Sequence, residues 1–156
     1  METTRHTTAT TYVVNDGATA LHEHERLGIR IPPGGHVERD ELPHETAMRE
    51  VREETGLEPT LIDDSPTIEG PDGHSLPRPR HVMLYDINVH ENGQVGHQHI
   101  DLLYYAHVPT REIDPVDGET GVHAWDWYTP EDLRTSGLDA DTVQLGLEAI
   151  EVIETR

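Results

Sequence analysis

Glu50, Glu53 and Glu54 stand at offsets of zero, three and four in the chain. On a helix turning about 100° per residue, Glu53 lies about 60° to one side of Glu50 and Glu54 about 40° to the other. Three carboxylates then crowd one narrow face. Like charges at that spacing repel and weaken a helix unless a cation sits among them. Hard divalent cations take oxygen ligands, so Mg²⁺ or Mn²⁺ suits the position. The competing reading is a plain solvated acidic face, which is unremarkable in a chain with Asp+Glu 31 against Lys+Arg 11.

The surrounding residues supply what such a helix needs. Ala47, Met48 and Val51 form an apolar stripe beside the carboxylates, which is the packing face. Arg49 stands four residues before Glu53 and can brace it. Pro43 suits a first helical turn, and Gly56 suits the left-handed residue that ends a helix. The paired glycines Gly34 and Gly35 lead in as a loop, where a backbone without side chains can approach a ligand closely.

Taken whole, the spacing is Gly35, five residues, Glu41, seven residues, Arg49-Glu50-Val51, one residue, Glu53-Glu54, one residue, Gly56-Leu57. It resembles the Nudix box at every defining position, and weaker resemblance runs from about residue 10 to residue 133. The resemblance implies an α/β/α sandwich around a mixed β-sheet. It implies hydrolysis of a pyrophosphate bond in a nucleoside diphosphate linked to another moiety. It places the metal on Glu50, Glu53, Glu54 and the Gly35 carbonyl, with Arg49 orienting the carboxylates and Glu41 paired to Arg49. Family members differ over the general base: Glu53 is the first choice within the box, and Glu119, then Glu112, outside it. Many members carry a Trp where this chain has Arg30, which here either contacts a phosphate or faces solvent. Pro71 stands about where a Pro is associated with ADP-ribose substrates. Homodimers are frequent in the family, and a binding domain that senses a nucleotide without cutting it is the alternative to an enzyme.

Length and charge bound the rest. At 156 residues one domain with one core is expected. With Cys 0 there is no disulfide and no thiolate metal site. The Thr-rich N-terminus does not read as a secretory signal, and no apolar run approaches the roughly 20 residues of a membrane span, so a cytoplasmic protein is expected. The net charge of −20, with every basic residue an Arg, fits a halophile that keeps molar salt inside the cell. It also disfavours duplex nucleic acid, whose phosphates need cationic contacts.

Along the chain, residues 1–8 read as a loose arm. Residues 9–15 and 18–25 form a hairpin through Asn15-Asp16-Gly17. His22 and His24 share one face of it and read as exposed strand histidines, zinc being the less favoured use. Further strands are expected over 58–63, 81–89, 97–108 and 125–128. Segments 64–80 and 109–121 read as loops, and Arg78 and Arg80 in the first either meet substrate phosphate or face solvent. His97, His99 and Asp101 share a strand face that is a substrate-cleft wall, plain surface or a zinc site. Tyr104 or Tyr105 either stacks on a base or packs in the core. Thr129 caps a short helix begun by Pro130, and 139–153 is a C-terminal helix.

Overall fold

A computed structural model describes residues 2–24 and 28–156. Its first strand, β1, is Thr4–Asn15. The expectation of a loose arm over residues 1–8 is therefore corrected for residues 4–8. Thr is a good strand former, and the backbone here pairs in parallel with β7, Val95–His107, from Thr4↔His97 to Val14↔His107; from Thr8 onward its other edge pairs antiparallel with β4, Gly34–His36, starting at Thr8↔His36. The polar side chains that suggested an arm are the exposed ones, since Thr4, Arg5, His6 and Thr7 all reach solvent.

β1 turns through Asp16 and Gly17, with φ of 47° and 77°, into β2, Ala18–Glu23. Two positive φ values are the hairpin turn that Asn-Asp-Gly favours. The expected end of this strand, at Glu25, falls outside the described residues. β3, Arg30–Ile31, pairs with β2, and β8, Trp125–Tyr128, pairs with β2 on its other edge. β5, Thr60–Leu61, and β6, His81–Val89, both pair antiparallel with β7. The result is one mixed sheet centred on β1 and β7.

Among the described residues three α-helices cover it. α1, Pro43–Thr55, packs Ala47 and Met48 against Ala9, Tyr104 and Ala106, and Val51 against Val13 and Ala20. α2 is Pro130–Thr135, and α3 is Ala140–Glu154. α3 buries Leu145, Ala149 and Ile150 with Tyr12, Leu103 and Tyr105, which lie on the opposite face of the sheet. Strand alternation sends odd and even residues to opposite sides, so the central strands are covered on both sides. This is the α/β/α sandwich that the sequence predicts.

Tyr104 and Tyr105 are 2% and 0% exposed. Of the two roles open to them, both take core packing. His22 is likewise buried, with its ring centroid 4.5 Å from that of Trp125, rather than an exposed strand histidine.

Candidate active site

α1 is built as a carrier of charge. Pro43 fills its first turn, where a backbone N–H has no helical partner. Glu45 accepts the Leu42 N–H at 2.8 Å and sits near the positive end of the helix. Gly56 closes it with φ 72°, and a Cβ there would strike the carbonyl oxygen of Asp114. Glycine is thus required at this position both by conformation and by space.

Arg49 is the hub on its exposed side. Its Nε and Nη2 donate to the two oxygens of Glu41 at 2.7 and 2.9 Å, a bidentate pair. Its Nη1 donates to Glu50 at 3.2 Å and to Glu53 at 3.0 Å. The buried hydroxyl of Thr46 adds a 2.9 Å bond to Glu41. The hydrogen bonds from Arg49 pull the Glu41 carboxyl down to about 2, and Glu41 in turn raises the Arg49 pKa.

Glu54 points the other way and accepts the backbone N–H of Gly34 at 2.9 Å. Burial, and then the charge of Glu50, push its pKa up to about 8, against the opposing pull of the Gly34 N–H. Burial also raises Glu50, where the Arg49 charge opposes it. Gly35 lies against Glu50, and a Cβ on it would collide with Glu50 Oε1. The two glycines are strand residues, not loop residues; the missing side chain of Gly35 lets β4 pass directly over Glu50, and the Gly34 N–H reaches Glu54.

The segment after β7 closes this end of the site. Asp114 N–H donates to the Thr55 carbonyl at 2.8 Å and Val116 N–H to the Glu53 carbonyl at 2.9 Å. Glu119 follows, and its charge acts on both Glu50 and Glu54. Glu112 is exposed, with its N–H on the Thr110 hydroxyl.

Glu41, Arg49, Glu50, Glu53, Glu54, Gly35 and Glu119 therefore gather at one place. Arg30 is turned elsewhere: it donates to Asp126 Oδ2 at 2.5 Å and to the Ala124 carbonyl at 3.2 Å. Asp101 is buried, its Oδ1 accepting from Thr8 and Thr10 at 2.9 Å each. His99 stands with His6, His36 and His97, and burial followed by those neighbours lowers its pKa. His6 and His36 were not legible as partners of His99, because only the pairing of β1 with β4 and β7 brings them together. A cavity of about 470 Å³ lined by Asp63, Arg78, Arg80, His81 and Glu148 contains none of the α1 carboxylates.

The geometry fits a wider pattern. The NUDIX domain family matches residues 4–145. A NUDIX-family hydrolase from Clostridium perfringens is 30% identical, with a TM-score of 0.81 over 96% of this chain and 98% of that one. A MutT NUDIX hydrolase from Burkholderia pseudomallei is 22% identical, with a TM-score of 0.62 over 93% and 97%. An Ap4A hydrolase from C. elegans is 18% identical, with a TM-score of 0.56 over 97% and 98%; these two speak to the fold. A search among curated proteins gave no match. A glycine strand laid over an Arg-braced carboxylate helix, in a chain matched over nearly its whole length, places this protein in the Nudix family of pyrophosphohydrolases.

Proposed function

We propose that the chain hydrolyses the pyrophosphate of a nucleoside diphosphate linked to another moiety, with Mg²⁺ or Mn²⁺ held by Glu50, Glu53, Glu54 and the Gly35 carbonyl. The observation that carries this reading is the convergence of Glu50, Glu53, Glu54 and Glu119 beneath Gly35, whose lack of a side chain leaves the backbone against Glu50. The donor set suits a hard cation, being all oxygen. The raised pKa of Glu54 supports it as well, because buried carboxylates this close lack enough positive charge of their own. Arg49 does not meet that need, as Glu41 takes its bidentate edge. When bound, the metal would neutralise phosphate charge, polarise a P–O bond and lower the pKa of a water.

The chain's own residues do the rest. A water oxygen attacks phosphorus, its proton passes to a carboxylate, and the bridging oxygen leaves with the other phosphate. Glu53 suits the proton acceptor: its side chain is 39% exposed, against 15% for Glu50, and Arg49 fixes its position. Glu119 is the second choice, on a segment tied to the end of α1. Arg49 and Glu41 hold the carboxylates in register without touching the substrate.

Substrates in reach are ADP-ribose or another nucleotide sugar, nucleoside triphosphates and dinucleoside polyphosphates. A UDP-X diphosphatase and an Ap4A hydrolase among the solved neighbours support that breadth and do not choose within it. The test is that substrate panel with Mg²⁺ or Mn²⁺, in KCl at about 2 M for strong screening. Cleavage within the pyrophosphate, cut about 10²- to 10⁴-fold in Glu53→Gln or Glu54→Gln with the fold intact, is expected. Full activity in both variants removes the metal-helix reading. Nucleotide binding without cleavage by the native chain favours a sensor.

A further inference from the structure

We propose that His6, His36 and His99 form a second metal site, selective for a borderline transition ion such as Zn²⁺, on the face of the sheet opposite the carboxylates. The three histidines come from three strands, β1, β4 and β7. Their sequence separations are large, and the sheet register removes them. His6 stands directly across from His99 in the parallel β1–β7 pair. His36 stands across from Thr8, two residues further along the same face of β1.

The two faces of β4 divide the chemistry. A side chain at Gly35 would meet Glu50, so Gly35 faces α1. One at Gly34 would meet Thr10, and His36 shares the alternation of Gly34. The imidazole cluster is therefore not an extension of the carboxylate site, although it begins one residue from Gly35.

The distances fit an ion. One ligand nitrogen from each ring lies within 4.8 Å of the other two. The Nε2 atoms of His36 and His99 are 3.3 Å apart. A tetrahedral zinc with Zn–N about 2.0–2.1 Å has nitrogen pairs about 3.3–3.4 Å apart. One edge of the tetrahedron is thus already set, and modest rotation of the exposed His6 ring completes a face. His97 stands beside them, its ring 4.6 Å from that of His6 and 5.1 Å from that of His99. The Thr4 hydroxyl meets its Nδ1 at 2.8 Å and ties that ring to β1; the set within 4.8 Å is His6, His36 and His99, which leaves the fourth position of a tetrahedral ion to water. The nearest carboxylate on β7, Asp101, is occupied by Thr8 and Thr10 and stays out of the set. Imidazole nitrogens favour Zn²⁺, Ni²⁺ or Cu²⁺ over Mg²⁺, whereas the carboxylates under β4 favour the reverse.

The experiment uses the full chain, stripped with chelator and supplied with excess Mg²⁺ so that the carboxylates are filled. CoCl₂ is titrated while the visible absorption of tetrahedral Co²⁺ is read, and Zn²⁺ is then added as competitor. One equivalent of Co²⁺, displaced by Zn²⁺, is expected. His6→Gln and His36→Gln should weaken it by about tenfold or more, and Glu53→Gln should leave it unchanged. A wild-type chain with no such absorption, binding unaltered in both histidine variants, or binding lost in Glu53→Gln each overturns the site. Should a variant misfold, nitrogen NMR of the native imidazoles decides: Zn²⁺ must perturb His6, His36 and His99, and perturbation confined to His22, His44 or His81 overturns the site equally.

Discussion

Arg49 touches three carboxylates through hydrogen bonds, and its placement explains why Glu41, eight residues away, belongs to the same constellation. Its guanidinium neutralises part of the charge on α1 and leaves Glu54 to β4. His22 is the residue whose burial has the plainest thermodynamic consequence. Burial, then the charge of His24, lower its pKa from 6.5 to about 4, against an opposing pull from the Glu23 backbone. Above pH 6.5 the ring is neutral in both folded and unfolded chains. As pH falls from 6.5 toward 4, the unfolded chain takes up a proton that the folded one refuses. Stability present above that window is lost through it, on the order of 3 kcal/mol. Comparing the native chain with His22→Phe by urea unfolding at pH 7 and pH 4.5 checks this: the variant should lose less stability between the two, and equal losses would contradict the assignment.

At the level of elements, α1 cannot be separated from the segment that follows β7. Gly56 joins them, since its φ of 72° and its contact with Asp114 leave no room for a side chain. Gly56→Ala should cost about 2 kcal/mol or more, because a strained backbone and a displaced Asp114 add together. It should also slow hydrolysis, by moving Glu119 relative to Glu50 and Glu54. Unfolding in urea and steady-state turnover check the two effects separately, and a variant as stable as the native chain refutes the packing argument. These elements were unequally legible in the sequence. α1 announces itself through Pro43, Gly56 and the Ala47-Met48-Val51 stripe, all local signals. The hairpin does so through Asn15-Asp16-Gly17, and the helix at Pro130 through Thr129, whose hydroxyl accepts the Asp132 N–H at 3.2 Å. β4 was not legible, because Gly34 and Gly35 have poor strand propensity and become a strand only by pairing with β1. Residues 4–8 were not legible for a different reason: Thr and His side chains that stay exposed say nothing of a backbone paired to a strand more than ninety residues away.

For the whole molecule the dominant quantity is a net charge of −20 on 156 residues. Arg30, Arg49, Arg52, Arg80 and Arg156 are paired with carboxylates, and Lys+Arg 11 in all cannot offset Asp+Glu 31. Exposed pairs of this kind contribute little by themselves. Self-repulsion therefore opposes the compact state until salt screens it. Tm should rise with KCl most steeply between about 0.01 and 0.3 M, where the Debye length falls from about 30 Å to below about 10 Å. Thermal melts across that range check this, and a flat Tm would show that the charge is not limiting. No helix among the described residues is long and apolar enough to cross a membrane.

The parallel pairing of β1 with β7 sets a timetable for synthesis. Thr4 and His97 are neighbours in the sheet but 93 residues apart in the chain. At a translation speed of about 5–20 residues per second, β1 emerges roughly 5–20 s before its central partner. Throughout that interval its amide and carbonyl groups on the β7 side face water or any stray strand nearby. The run Thr4-Arg5-His6-Thr7-Thr8 has no large apolar side chain and carries a fixed positive charge, both of which discourage unwanted sheet extension. The same polar residues that hide this strand from a reader of the sequence also hide it, while the ribosome is still at work, from other nascent chains.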